Sequence, residues 1–174
     1  MNQKKYFKKW FYNEILKREQ YKFTLDVVLD YLKNNKYDLE PFYKRDIVWT
    51  QNQKTNYIEN LFTGRANINL ILIFNGFESD KSYEVLDGKQ RINSIFEFIQ
   101  NKFSIFDGIK YEDLISSDKF DFGNLLVNIT EISSKNDILI NNNIKIDLFL
   151  EVNELGTKIT RKHLKKVKEM KKWK

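Results

Sequence analysis

Asp87-Gly88-Lys89-Gln90-Arg91 gathers a carboxylate, a glycine, two cations and a carboxamide into consecutive positions. The preceding residues, Tyr83 to Leu86, form a short apolar, β-prone run. From Gln90 onward the apolar residues fall at Ile92, Ile95, Phe96 and Ile99, which is helical spacing. The pattern predicts a strand, a tight turn and a helix, with the polar group at the junction. A helix N-terminus carries unpaired N–H groups and a partial positive charge, so it suits an anion. Gly88 lets the backbone approach a ligand closely. Lys89 adds charge, and Arg91 offers a planar donor fork matched to phosphate. The chemistry these types allow is phosphate binding. An ordinary strand-to-helix turn with solvated charges is the alternative, because short motifs also arise by chance.

The rest of the chain must build what positions that junction. It has 174 residues, of which 41% are hydrophobic and 15% aromatic, enough for one domain (1–174) with a proper core. There is no cysteine and His163 is the single histidine, which excludes disulfides, thiol chemistry, zinc–thiolate sites and a multi-histidine metal site. No apolar run approaches the ~20 residues of a membrane span, and the Lys-rich N-terminus lacks the apolar core of a signal peptide. A soluble cytoplasmic protein is expected, in a bacterial or phage-infected cell. The net charge of +6 is uneven: residues 1–22 carry +5, residues 158–174 carry +8, and the stretch between carries −7. Basic ends can engage DNA through counterion release, or serve as solvated faces that keep the protein soluble.

Taken in order, residues 5–20 show Phe7, Trp10, Phe11, Ile15 and Leu16 at the spacing of an amphipathic helix. Thr24 is a fair N-cap for a second helix with the stripe Leu25, Val28, Leu29 and Leu32, ended by Asn34-Asn35. Residues 37–49 contain the only proline, Pro41, and predict an extended, irregular segment holding Tyr43, Arg45 and Trp49. Thr50 or Asn52 starts the next helix, with Gly64 just past its end. Leu70–Phe74 is a continuous apolar run of strand length, buried on both faces and able to pair with Tyr83–Leu86 as a hairpin. Residues 102–123 predict an irregular region with a short helix at 111–116. Leu125–Ile132 alternates as a strand, 133–145 gives little signal, and 146–155 is helical, closed by Gly156. Thr160 N-caps a last helix with the stripe Leu164, Val167, Met170 and Trp173. No repeat, low-complexity block or linker interrupts this, and one α+β domain with a small mixed sheet and several packed helices fits.

Three stretches, Pro41–Trp49, Val85–Arg91 and Phe149–Thr160, resemble, in order, the motifs of the N-terminal domain of GmrSD-like modification-dependent restriction enzymes and the related SspE-type anti-phage proteins. Those motifs run roughly P-x-Y-Q-R-x-x-V-W, a strand ending D-G-Q-Q-R, and F-x-x-x-N-x-x-G-T followed by Ser or Thr. The resemblance implies a ParB/sulfiredoxin-like fold and binding of a nucleoside triphosphate, with Mg²⁺ and hydrolysis in the better-known members. Residue by residue, it carries over to Asp87, Gly88, Gln90 and Arg91 in the second motif, to Tyr43 and Arg45 in the first, and to Asn153, Gly156 and Thr157 in the third. Arg45 and Arg91 would clamp phosphates, with Lys89 beside them. Gln90 would orient the attacking water. Asp87 would hold the metal or fix the turn.

The departures are Lys89 and Lys44, each where the family usually has Gln, and Glu151 where larger members have Arg. Larger members also carry a C-terminal nuclease domain. This sequence shows no nuclease pattern around His163, which reads as a surface helix residue, so a separate nuclease or restriction subunit is the expected partner. Sulfiredoxin chemistry is excluded, since it needs a cysteine. Two other functions use the same features: a non-catalytic DNA-binding module, and a phage-encoded decoy or regulator of a restriction system.

Overall fold

The computed structural model describes residues 12–34, 36–43, 46–77, 79–136, 139–155 and 161–170. Residues 12–15 are helical (α1). They are followed by β1 (Leu16–Thr24), α2 (Leu25–Lys33), β2 (Tyr37–Asp38), α3 (Gln51–Phe62), β3 (Ile68–Phe74), β4 (Tyr83–Asp87), α4 (Lys89–Ile99), α5 (Ser116–Gly123), β5 (Leu126–Ser134), α6 (Asn142–Leu155) and α7 (Arg161–Met170). The strands form one mixed sheet in the order β1-β5-β3-β4-β2. The domain is α+β, as expected. No described helix is long and apolar enough to cross a membrane.

β3 lies at the centre because it can be buried on both faces. It pairs in parallel with β5 and antiparallel with β4, completing the predicted hairpin. Its alternation then builds two cores. Ile68, Leu70 and Leu72 join the cluster made with α2, α3, α4 and α5, whereas Ile73 joins the cluster made with α6 and α7. Helices therefore pack on both faces of the sheet. In the first layer, Lys54 of α3 meets Glu97 of α4 at 2.6 Å in a largely buried pair. Burial opposes the charge of Glu97, but the hydrogen bonds from Lys54 and Asn93 outweigh it and hold the carboxyl below its ordinary range.

Several local expectations hold. Thr50 caps α3 in a reciprocal capping box with Gln53, and Gly64 follows the helix at φ +68°. Leu25, Val28, Leu29 and Leu32 form the buried stripe of α2; Thr24 stands at the N-cap position as expected, but its side chain makes no capping hydrogen bond.

Three expectations fail. Of the helix predicted over 5–20, residues 5–11 with Phe7, Trp10 and Phe11 lie outside the described residues, 12–15 are helical, and Leu16–Thr24 is instead the edge strand β1, paired antiparallel along its whole length with β5. Lys17, Arg18, Glu19, Gln20 and Lys22 mask its alternation, since charged side chains are how an exposed edge strand avoids unwanted pairing. The short helix expected at 111–116 is a turn, and the helix lies at Ser116–Gly123. There Phe122, not Phe120, enters the core, stacked on Phe62 at 5.0 Å. α6 begins at Asn142 rather than 146, with Asn141 Oδ1 accepting from the N–H of Ile144 at 3.0 Å. Thr160 and Trp173 lie outside the described residues, as do the side chains of His163 and Leu164, whereas Val167 of the last stripe is fully buried.

Candidate functional site

β4 delivers Asp87 to the end of the sheet, and α4 starts two residues later. Between them Gly88 occupies the N-cap position at φ +109° and ψ −4°, a conformation L side chains rarely adopt. A Cβ there would fall 2.3 Å from Leu70 Cδ2 and 2.9 Å from the carbonyl oxygen of Asn69. The glycine is therefore required by the close approach of the turn to β3, whether or not a ligand is present. It also leaves α4 with no side-chain cap, so the first N–H groups of the helix remain available to an anion.

A small pocket of about 60 Å³ opens at this helix start, lined among others by Pro41, Tyr43, Gly88, Lys89, Gln90 and Asn153. A water needs ~10–15 Å³ of such space, so the pocket has room for a few waters or for a group of phosphoryl size. The first and third motifs thus meet the second: the 39–43 segment forms one wall and the C-terminal half of α6 the other. Asn153 donates to the carbonyl of Phe149 at 2.7 Å, a helical back-bond that leaves its side-chain oxygen for a ligand. Arg45, Gly156 and Thr157 lie outside the described residues.

Each charged or amide side chain of the junction has a definite partner. Lys89 Nζ meets Glu40 Oε1 at 2.6 Å. Arg91 turns away from the pocket; its Nη2 donates to Asp87 Oδ2 at 2.6 Å and its Nε to the carbonyl of Asn69 at 3.1 Å. Gln90 is engaged at both ends of its amide. Its Oε1 accepts from the N–H groups of Val48 and Trp49, and its Nε2 donates to the carbonyl of Asp46. Gln90 is thus the clamp that ties the loop after Arg45 to the start of α4, a use that sequence reasoning assigned to no residue. Replacing Gln90 by Ala should release this loop, with faster hydrogen exchange at the amides of Val48 and Trp49 and a small loss of overall stability, about 1 kcal/mol. Unchanged exchange at those two amides would remove the clamp role.

Tyr43 is almost fully buried and its ring rests against Phe149 at 5.4 Å. Its hydroxyl donates to Glu84 Oε2 at 2.8 Å, and burial followed by the Glu84 charge pushes its pKa far up, so it remains a donor. Glu84 belongs to a buried network that the sequence reading missed. Lys145 Nζ reaches Glu84 Oε1 at 2.5 Å and Asn75 Oδ1 at 3.0 Å, while Asn75 Nδ2 donates to Glu84 Oε1 at 3.0 Å. The pair is only 11% and 13% exposed. It pins the start of α6 onto β4, and through Tyr43 it braces the pocket wall. The available signal was a charge inside each apolar pattern: Glu84 within β4, and Lys145 between Ile144 and Ile146.

No group of three or more His, Cys, Asp or Glu side chains among the described residues could hold a metal on its own. Asp87 offers one half-exposed carboxylate, which fits a Mg²⁺ ion that takes its other ligands from phosphate and water.

No curated protein and no solved structure matches the chain at the significance required. The family model for the N-terminal domain of the GmrSD restriction endonuclease matches residues 28–173, which include the 39–43 wall, the β4–α4 junction and all of α6. On that match over most of its length, the chain belongs to the GmrSD restriction endonuclease N-terminal domain family.

Proposed function

We propose that this domain binds a nucleoside triphosphate with Mg²⁺ at the β4–α4 junction, on a ParB/sulfiredoxin-like scaffold, and hydrolyses it as part of a DNA restriction or phage-defence system. The observation that carries the proposal is the uncapped start of α4 opening into a pocket of phosphoryl size, built where all three motifs converge. The backbone N–H groups of Lys89 and Gln90 take phosphate oxygens. Lys89 and Arg91 exchange a carboxylate partner for phosphate as the ligand enters, which neutralises its charge without bringing new cations into place. Asp87, released from Arg91, becomes available to the metal. Asn153 and the ring of Tyr43 bound the pocket opposite the helix. Gln90 keeps the loop after Arg45 in position rather than handling the water itself. In hydrolysis, water attacks the terminal phosphorus and the bond to the bridging oxygen breaks, giving nucleoside diphosphate and phosphate. A separate nuclease or restriction subunit would act on the outcome.

The test is a panel of nucleoside triphosphates with Mg²⁺, read by thermal unfolding and phosphate release. Ligand at ~100 times its dissociation constant should stabilise the fold by roughly 2.7 kcal/mol. Arg91→Ala should abolish that shift. A panel with no shift and no phosphate release would sink the proposal. One observation favours a DNA-binding reading instead: α7 buries Val167 and exposes Lys165, Lys166 and Lys168. Duplex affinity that falls steeply with salt, in a protein that no nucleotide stabilises, would select that reading.

A further inference from the structure

On the sheet face covered by α6 and α7, the apolar residues Leu16, Ile73 and Ile132 lie beneath the helices. The side chains that alternate with the same phase toward the other end of β1, β5 and β3 are mostly polar. Gln20, Lys22, Asn69, Asn128 and Thr130 line an open cleft of about 550 Å³, within the usual range for a small-molecule site. The register arranges them in two rows. Lys22, Asn128 and Asn69 lie side by side on three adjacent strands. Gln20, Thr130 and Ile71 form the next row, with Asp87 of β4 beside Ile71. At ~4.8 Å between strands, each three-strand row spans roughly 10 Å, the breadth of a nucleoside. Asp87 lines both this cleft and the small pocket at the start of α4.

The central feature is a carboxamide pair. Asn128 Nδ2 donates to Asn69 Oδ1 at 2.9 Å across the β5–β3 ladder. That bond uses one donor from one amide and one acceptor from the other. Asn128 keeps a carbonyl oxygen and Asn69 keeps an amide group, and neither has another side-chain partner among the described residues. If both amides were flipped, the two ends would exchange roles, so a donor and an acceptor face the cleft either way. Adjacent donor and acceptor groups are what the edge of a nucleobase presents. Ile71 supplies an apolar patch in the second row, and Thr130 and Gln20 offer partners for hydroxyl groups.

We infer that this floor binds the nucleoside moiety of the nucleotide whose phosphates lie at the β4–α4 junction, with the Asn69–Asn128 pair against the base edge and Thr130 and Gln20 toward the ribose. The inference rests on the proposed function, but the two separate in one experiment. Affinities for a nucleoside triphosphate and for inorganic tripolyphosphate, both with Mg²⁺, are measured on the full chain by calorimetry. The wild-type protein should favour the nucleotide by about tenfold or more. Asn128→Leu, and independently Asn69→Leu, should bring the nucleotide down to the tripolyphosphate level and leave tripolyphosphate affinity within about twofold of wild type. Unfolding curves identify a variant that has lost its fold, and the other variant then decides. An undiminished nucleotide preference in folded variants would overturn the nucleoside floor and leave the phosphate site standing. Nucleotide binding that depends on Asn128, without tripolyphosphate binding, would overturn the phosphate site and leave the floor. Binding of neither ligand would overturn both.

Discussion

Gly88→Ala should be the most damaging single-methyl change in this domain. The position sits at φ +109°, so any L side chain is strained there by about 1–3 kcal/mol. The added Cβ also meets Leu70 Cδ2 at 2.3 Å and the Asn69 carbonyl at 2.9 Å. Leu70 is buried in the core, and the Asn69 backbone is held in the ladder with Asn128 while its carbonyl accepts from Arg91. Neither neighbour can move without opening the sheet. The combined cost is roughly 3 kcal/mol or more, a fall in melting temperature of about 10 °C for a chain of this size. Gly76→Ala is the control. It has a similar φ of +95° but nothing within 4 Å of its Cβ, so it should show the strain without the overlap. If the two variants melted together, the close approach to β3 would be unimportant. Because the same turn presents the N–H groups of α4, Gly88→Ala should also remove nucleotide binding under conditions where the variant remains folded.

The second large effect is expected at Lys145. Truncation to Ala leaves the mostly buried Glu84 carboxylate with Asn75 and Tyr43 as its partners among the described residues. Breaking a buried ion pair from one side costs about 3–5 kcal/mol, because the desolvated partner remains. Replacing both members by apolar residues, Lys145→Met with Glu84→Leu, removes that charge and should recover most of the loss. A double-mutant cycle by chemical unfolding measures this directly. Additive losses would show that the pair is not coupled. The functional consequence should follow the geometry: Lys145 fixes α6 against β4, and α6 carries Asn153 and Phe149 into the pocket. The folded single variant should therefore bind nucleotide more weakly, although Lys145 does not line the pocket.

Local signals were strong where a single segment decides its own conformation. The capping box of Thr50 and Gln53, the apolar stripe of α2 and the continuous run of β3 all act within a few residues of themselves, and each was legible. The strand–turn–helix around Asp87–Arg91 was legible for the same reason, with Gly88 marking the positive φ. β1 was not, because its strand character comes from pairing with β5 more than a hundred residues away, while its own side chains are mostly charged. α5 was displaced because the phase of its aromatics is set by Phe62 and Phe98 on other helices.

By itself the sequence determined the chemistry on offer and its order along the chain: a carboxylate, a glycine and two cations at a helix start, flanked by two further motifs. It also determined the α+β class, through the continuous apolar run of β3 and the helical spacing in α2 and α4. Tertiary structure decided how those groups are used. Folding brought Tyr43 and Asn153 to the junction, turned Arg91 toward Asp87, and gave the Gln90 amide to the 46–49 loop. It alone lined up Lys22, Asn128 and Asn69 across three strands. The reason is physical: periodicity records which side of its own element a residue faces, whereas hydrogen-bond partners are chosen by register and packing between elements distant in the chain.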